Sequence, residues 1–412
     1  MDQTTAPSSR DAARLPLSHP DRAFAILEAH ARPAPPVPVP STIHHVALSC
    51  DEWGASRLYD AVFRATAADL PRHAVLTVDG MAVTWEMHTE FVSLTVVDGG
   101  WAEPFDALMA RIARIRGDVG LVLALRITVS SEEAGEERHL PEGSIGGTLR
   151  GGVTIASTFK PCADGFVDIA VEAGKIGPAQ LGRRVKRLIE AETYRVMAFL
   201  GLPLARREGQ AVAELETRLG ALVGRLTEGA AADEEMLDDL QAIAAEVEAV
   251  KTRTRFRFGA SRAYAALVDE RVRSLGETKI GERPTFSGFA LARLRPSLRT
   301  IETLEERQAD LAAAVGRTLE MLRARVDISM ERANQAILAS MNERHERQLR
   351  LAQAVEGLSV IAISYYLTGL IAYPAKALLG ADGAAIALAL LAPAIAIATW
   401  LALHRLKKRL LG

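Results

Sequence analysis

The residues best placed to do chemistry lie in one short stretch, TWEMHTEF, at positions 84–91. If this stretch is a single β-strand, Glu86, His88 and Glu90 point to the same face, because side chains alternate along a strand. Two carboxylates flanking an imidazole can ligate a divalent cation or act as acid and base. The alternative is a polar sheet face that contacts water or pairs with Arg and Lys. A divalent cation at these three residues is the one cofactor that the sequence offers.

Three other motifs have simpler structural interpretations. His44 and His45 are adjacent, so on a strand they face opposite ways and cannot chelate together. The glycines of GSIGGTLRGGV (143–153) lack the Lys-Ser/Thr ending of a phosphate loop and precede strand-like residues, which favours a hairpin turn. The basic and aromatic run KTRTRFRF (251–258) could bind nucleic acid or lipid headgroups, or could balance the acidic residues at 234–239 of the same predicted helix.

Two apolar segments near the end of the chain are long enough to cross a membrane. They are LSVIAISYYLTGLIAYPAKAL (358–378) and AAIALALLAPAIAIATWLAL (384–403), and only LGADG separates them. A span needs roughly 20 predominantly apolar residues. The sequence therefore predicts a transmembrane hairpin over 358–404 with the lipid bilayer as its partner.

Hydroxyl-bearing side chains recur along the first span. Such residues either let helices pack closely or line a pore, and the set comprises Ser359, Ser364, Tyr366, Thr368 and Tyr373. The only charged residue in the two spans is Lys376, near the end of the first. The spans therefore lack the series of ionisable side chains that a proton relay through the membrane requires.

Basic residues set the predicted orientation. They flank the two outer ends of the hairpin, and Lys and Arg are enriched on the cytoplasmic side. The flanking residues are Arg344, Arg347, Arg350, Arg405, Lys407, Lys408 and Arg409. Both termini are therefore predicted to be cytoplasmic.

The composition agrees with a large cytoplasmic body. The 412 residues include 49 basic and 51 acidic side chains, a net charge of −2, which indicates no nucleic-acid partner. Two cysteines cannot build a disulfide framework. The N-terminus has no apolar stretch, so we expect no signal peptide. We predict no catalytic residues and no enzymatic activity.

The patterns predict an α+β protein with six segments. Residues 1–40 are a disordered tail, a short helix and a proline-rich strap, which is either a stiff connector laid across the next domain or an SH3-type ligand. Residues 41–176 form an α/β domain of five or six strands, with a hairpin turn at Asp79-Gly80 and a strand at 121–129 that is apolar enough to be central. Residues 177–288 are helical, with one helix ended by Gly201 and Pro203, a second over roughly 208–227, and separate helices before and after Gly259. A stalk segment (289–357) follows, in which the helix begins at Pro296. After it come the hairpin (358–404) and a basic tail (405–412).

The stalk helix carries apolar residues at steps of three and four over more than 40 positions. A stripe of this length is typical of a helix that packs against other helices, as in a coiled coil. We therefore expect a homo-oligomer formed through the stalk and the spans.

Several stretches resemble a bacterial family of uncharacterised membrane-anchored proteins. They are HARP (30–33), WEMHTEF (85–91), DGF (164–166), ETYRVMAFLGLP (192–203) and LRLAQAVEGLSVIAISYYLTGL (349–370). They are spread over nearly the whole chain, so the resemblance is full-length. It implies a location in the bacterial inner membrane but no activity.

The order of segments is also similar to that of CorA-type cation transporters, in which a long helix enters the first span of a pentamer. That resemblance implies an oligomeric ion channel or transporter. The transporters' Gly-Met-Asn signature is replaced here by Ala372, Tyr373 and Pro374. The alternative is a membrane-anchored module for binding, scaffolding or regulation, without transport.

Overall fold

The computed structural model describes residues 19, 21–22, 25–26, 33–64, 70–98, 102–115, 117, 119–131, 143–228 and 233–411. The chain forms two compact units, Met1–Gly316 and Arg317–Gly412. The disordered tail and the short helix expected near the N-terminus lie almost wholly outside the described residues. The α+β class is confirmed, with a mixed sheet in the N-terminal part and helices after it.

The first unit contains one sheet, with nine strands among the described residues rather than five or six. The order is β2-β3-β4-β1-β5-β8-β7-β6-β9, and all neighbours pair antiparallel except β5 and β8. The count rises because the run around TWEMHTEF divides into two strands and two very short strands extend one edge. The strands are β1 (Ser41–Cys50), β2 (His73–Val78), β3 (Met81–Met87), β4 (Phe91–Asp98), β5 (Val119–Ser130), β6 (Gly147–Leu149), β7 (Val153–Pro161), β8 (Val167–Glu172) and β9 (Thr278–Lys279).

Two predicted turns are confirmed. Asp79 and Gly80 join β2 to β3 with φ of 50° and 87°, the left-handed pair that a two-residue type I′ turn requires. Gly151 and Gly152 join β6 to β7 and also have positive φ. The glycine-rich run is therefore a hairpin turn.

The helices are longer and fewer than predicted. They are α1 (Glu52–Phe63), α2 (Ala102–Ile112), α3 (Pro178–Phe199), α4 (Gly201–Glu228), α5 (Asp233–Leu275), α6 (Phe286–Gly380) and α7 (Asp382–Leu406). Helix α4 begins at Gly201, not near 208, because Pro203 lies in its first turn, where an amide has no helical acceptor. Helix α5 continues through Gly259, where a helix-interior glycine costs about 1 kcal/mol, and the neighbouring Phe258 is fully buried.

The start of α6 is set by a side chain from outside the helix. The carboxylate of Glu277 accepts hydrogen bonds from the amides of Phe286 and Ser287, both at 2.8 Å. A carboxylate at a helix N-terminus satisfies free amides and the helix dipole together. The helix therefore begins ten residues before Pro296, where the sequence placed it, and runs through that proline.

The sheet has a hydrophobic core on each face. One core packs sheet residues such as Leu125 and Ile155 against Leu188 of α3, Val268 of α5 and Leu294 of α6. The other packs Trp85, Leu94 and their neighbours against α1 and α2. Fully burying one such side chain contributes about 1.5–3 kcal/mol, so the two cores hold the sheet between helical layers.

The proline-rich strap, residues 33–40, lies against α3. The amide of Val37 donates to the carbonyl of Pro178 at 3.0 Å, and the Val37 side chain is buried. A Cβ on Gly182 would come within 2.0 Å of the Pro35 carbonyl oxygen. Only glycine at 182 lets the strap approach this closely, so the strap is the connector across the domain that the sequence predicts.

The second unit contains the rest of α6 and all of α7. The helices are interrupted at Gly380, whose φ of 72° and ψ of 177° are accessible to glycine and strongly disfavoured for other residues. Each helix contains a segment long and apolar enough to cross a membrane. The short predicted loop between the spans is therefore a break around one glycine.

Candidate functional site

The TWEMHTEF stretch does not form one strand. Strand β3 ends at Met87 and β4 begins at Phe91, so His88 and Glu90 lie in the turn between them. The turn is closed by the His88 amide, which donates to the Phe91 carbonyl at 2.8 Å. Glu86 and His88 line the same cavity against α3, but Glu90 follows the reversal of the chain and pairs with α5. The predicted set of three on one strand face therefore does not form.

Glu86 faces α3 and pairs with Lys186. The Nζ of Lys186 lies 2.5 Å from Oε1 of Glu86, and the two side chains are only 17% and 11% exposed. Because the pair is shielded from water, removing either partner would leave the other charge desolvated and unpaired, which destabilises the fold.

Glu90 pairs with a different helix. Its two oxygens accept hydrogen bonds from both terminal nitrogens of Arg257 in α5, at 2.7 and 2.8 Å. Arg257 therefore fixes the turn to α5 by a bidentate, charge-assisted contact. Burial raises the pKa of the nearby Tyr264 well above its usual value, and the negative charge of Glu90 adds to that effect.

His88 is held by aromatic rings. Its imidazole stacks on Phe91 with centroids 4.0 Å apart, and Tyr194 of α3 meets it edge-on at 6.3 Å. Among the described residues, no group of three or more His, Cys, Asp and Glu side chains is arranged to hold a metal ion. This geometry lends the divalent-cation hypothesis for Glu86, His88 and Glu90 no support.

The basic run 251–258 lies on helix α5. Besides Arg257, it supplies Arg253, which bonds Glu208 of α4 at 2.9 Å. Both arginines are paired with carboxylates, but these partners come from α4 and the β3–β4 turn and not from the same helix, as the sequence suggested. The acidic residues at 234–239 are not the ones that Arg253 and Arg257 contact.

A buried polar network that the sequence did not single out lies beside Glu86 and Lys186. The fully enclosed His45 of β1 contacts Thr95 through Nδ1 at 2.9 Å and Thr193 of α3 through Nε2 at 3.3 Å. Burial, aided by the positive charge of Lys186, lowers the pKa of His45 from 6.5 to about 3. The imidazole is therefore neutral in the folded protein at physiological pH.

These groups surround a small cavity between the sheet and α3. Its volume is about 40 Å³, and its walls include Glu86, Lys186, His45, Thr95 and Thr193. A volume of this size with several polar partners suits one or two ordered water molecules. The signal that could have revealed it is the pairing of His45 with Thr95, which requires the register of β1 on β4.

His44 points to the opposite face from His45, as the sequence predicts. Its ring stacks on Phe105 of α2 with centroids 4.2 Å apart. The two histidines thus belong to the two different cores of the sheet.

The hydroxyl-bearing residues of the first span divide between two surfaces. Ser364 is buried and Thr368 half-buried, whereas Tyr366 and Tyr373 are 74% and 81% exposed. The hydroxyls of Thr368 and Ser359 each donate to a carbonyl four residues earlier, at 2.8 Å. Such bonds satisfy a hydroxyl within its own helix, so both roles predicted for this set stay predictions.

Comparison with known proteins gives one result. No curated protein and no solved structure matches the chain, and the similarity to CorA-type transporters has no further support. A family model described as "Protein of unknown function (DUF3422)" matches residues 17–410. The chain therefore belongs to this uncharacterised family, with which the resemblance of its motifs agrees.

Proposed function

We propose that the protein is a membrane-anchored module whose hairpin spans the bacterial inner membrane and whose first unit is cytoplasmic. The observation that carries the proposal is the apolar surface of the two helices. Leu358, Leu370, Leu378 and Leu390 are each 70% or more exposed. An apolar surface this extensive needs a cover, and the length of each segment suits a bilayer of about 30 Å.

The charges near the hairpin support the orientation. Arg347 and Arg350, before the first span, pair with exposed glutamates one turn earlier on the same helix. Arg405 and Arg409 follow the second span. Positive residues on one side of a hairpin hold that side in the cytoplasm.

Membrane integration is tested by alkaline carbonate extraction of membranes that contain the full chain. We expect the protein to stay in the membrane pellet. A reporter that is active only in the cytoplasm should be active when it is fused after Gly412. Introducing Leu370→Arg with Leu390→Arg costs about 2.5–3.5 kcal/mol per charge at mid-membrane and should release the protein. Leu338→Arg, on the exposed stalk, is the matched control. Extraction of the parent chain would overturn the proposal.

Self-association through the stalk is part of the same proposal. Met330, Ile337 and Met341 lie at steps of seven and four along α6, and each is more than half exposed. Apolar side chains at this spacing are typical of the seam between packed helices. Cross-linking in membranes should yield oligomers that Ile337→Asp weakens, whereas a monomer in the parent chain would contradict the seam.

Ion transport by a CorA-like ring is the second candidate function. It is favoured by Ser359, Tyr366 and Tyr373, which recur every seven residues on the first span, the two tyrosines on its outward surface. Two spans cannot enclose a pore, so any channel requires a closed ring of subunits. Native mass measurement in detergent should then give a pentamer or another ring. A monomer or dimer would refute transport while leaving the anchored module intact.

A further inference from the structure

A groove between α4 and α6 in the first unit has an unusual charge. It has a volume of about 680 Å³ and is lined by twelve residues, among which four are arginines and none is acidic. The arginines are Arg206 of α4 and Arg295, Arg299 and Arg307 of α6. Pockets of roughly 300–1,000 Å³ suit small-molecule ligands.

Only part of this positive charge is balanced by the protein. Arg307 forms two hydrogen bonds with Glu216, which lies outside the lining. Arg295 reaches Asp269 only at 3.8 Å. Arg206 and Arg299 form no ion pair with any described residue. Within the part of the chain that the structure describes, two positive charges therefore line the groove without a carboxylate partner.

The opposite groove of the same helix shows the contrast. Between α4 and α5 the lining contains Arg218, Arg253, Glu214 and Glu246, two of each sign. Arg218 bonds Glu246 at 2.7 Å, and Arg253 bonds Glu208. The charge imbalance is thus specific to the groove between α4 and α6.

The spacing of residues explains how the groove stays open. On α4 the floor is Ala205, Gly209 and Ala213, four residues apart, and a Cβ on Gly209 would meet nothing within 4 Å. On α6 the arginines at 295 and 299 are also four apart, an arrangement that weakens a helix by a few tenths of a kcal/mol. The small side chains on α4 leave room in the groove. The like charges destabilise α6 while no anion lies between them, so the two features together favour a bound ligand.

We propose that this groove binds the phosphate groups of a small polyanion. The guanidinium forks of Arg206 and Arg299 match phosphate oxygens in pairs, and the exposed Arg295 lies in the same lining. The lining has no aromatic ring on which a nucleobase could stack. The groove therefore recognises the phosphates of its ligand, whether these belong to a free metabolite or to a lipid headgroup.

The test is calorimetric titration of pyrophosphate into the full chain in nanodiscs of neutral phosphatidylcholine at low salt. We expect saturable binding that Arg206→Gln with Arg299→Gln weakens at least tenfold. Gly209→Phe, which fills the groove without changing its charge, should weaken binding similarly. Arg218→Gln, in the balanced groove, is the matched control and should bind as the parent does. Circular dichroism checks that each variant is folded.

A second set of nanodiscs, containing an acidic phospholipid, separates the two sources of phosphate. Unchanged pyrophosphate affinity supports a free ligand, whereas competition by the lipid supports a headgroup in the same groove. Absence of saturable binding, an equal loss in Arg218→Gln, or tighter binding of a polyglutamate peptide than of pyrophosphate would each overturn the proposal.

Discussion

Acidification should destabilise the first unit through one histidine. His45 is buried against Thr95 and Thr193, and burial together with the charge of Lys186 lowers its pKa to about 3. In an unfolded chain a histidine has a pKa of about 6.5. Between these two values the unfolded state binds a proton that the folded state refuses, so stability falls as pH falls.

The size of the effect follows from the two pKa values. Each pH unit in this window changes the free energy of unfolding by about 1.4 kcal/mol. Lowering the pH from about 7 to about 5 crosses roughly 1.5 units of the window and therefore removes about 2 kcal/mol. Stability that depends on neutral His45 is complete above about pH 6.5 and is lost progressively toward pH 3.

The assay is urea unfolding of the full chain in neutral detergent, followed by tryptophan fluorescence, to which the fully buried Trp85 contributes as one of four tryptophans. In His45→Gln the side chain has no titrating group but can still bond both threonines. We expect the parent to lose about 2 kcal/mol more than this variant between pH 7 and pH 5. His345→Gln, on the exposed stalk, is the control and should follow the parent.

Equal losses in the parent and in His45→Gln would refute the reasoning, because the proton linkage would then reside in other groups. A loss in His345→Gln that differs from that of the parent would also contradict it. If His45→Gln is less stable than the parent by the same amount at both pH values, the test is unaffected, because the prediction concerns the change in the free energy of unfolding between pH 7 and pH 5.

Three further predictions concern single contacts. Lys186→Met should destabilise the first unit by about 3 kcal/mol, because it leaves the Glu86 carboxylate desolvated without its cation, and adding Glu86→Gln should restore most of that loss in urea unfolding. Additive losses in the double variant would contradict the ion pair. Gly182→Ala should cost about 1–3 kcal/mol and speed hydrogen exchange in the strap, because the new methyl meets the Pro35 carbonyl; unchanged exchange would show that the strap is not held there. Gly380→Ala should cost about 1–3 kcal/mol and lower the thermal midpoint in detergent, and an unchanged midpoint would refute strain at the hairpin break.

Local signals predicted the elements that depend on neighbours in sequence. The Asp79-Gly80 turn formed because its two residues tolerate positive φ. The strand β5 was apolar enough to be central, and it is the fifth of nine strands in the sheet. Element boundaries were less predictable: α6 begins at Phe286 because Glu277, nine residues earlier, caps it.

The candidate site shows the limit of pattern reasoning. Alternation along TWEMHTEF grouped Glu86, His88 and Glu90, yet nothing in those letters signals a turn after Met87. The reversal sends Glu86 to Lys186 and Glu90 to Arg257, which is 167 residues away in sequence. Partners at such separations depend on how helices dock on the sheet.

The sequence by itself determined that the chain has a mixed α+β body and two apolar segments long enough for a bilayer, because composition and periodicity are local properties. Only the tertiary structure decided which charges are paired. It enclosed His45, joined Glu86 to Lys186, and left Arg206 and Arg299 facing an open groove without a carboxylate among the described residues. Charge balance is set by distances between side chains from different elements, and those distances exist only once the helices have packed.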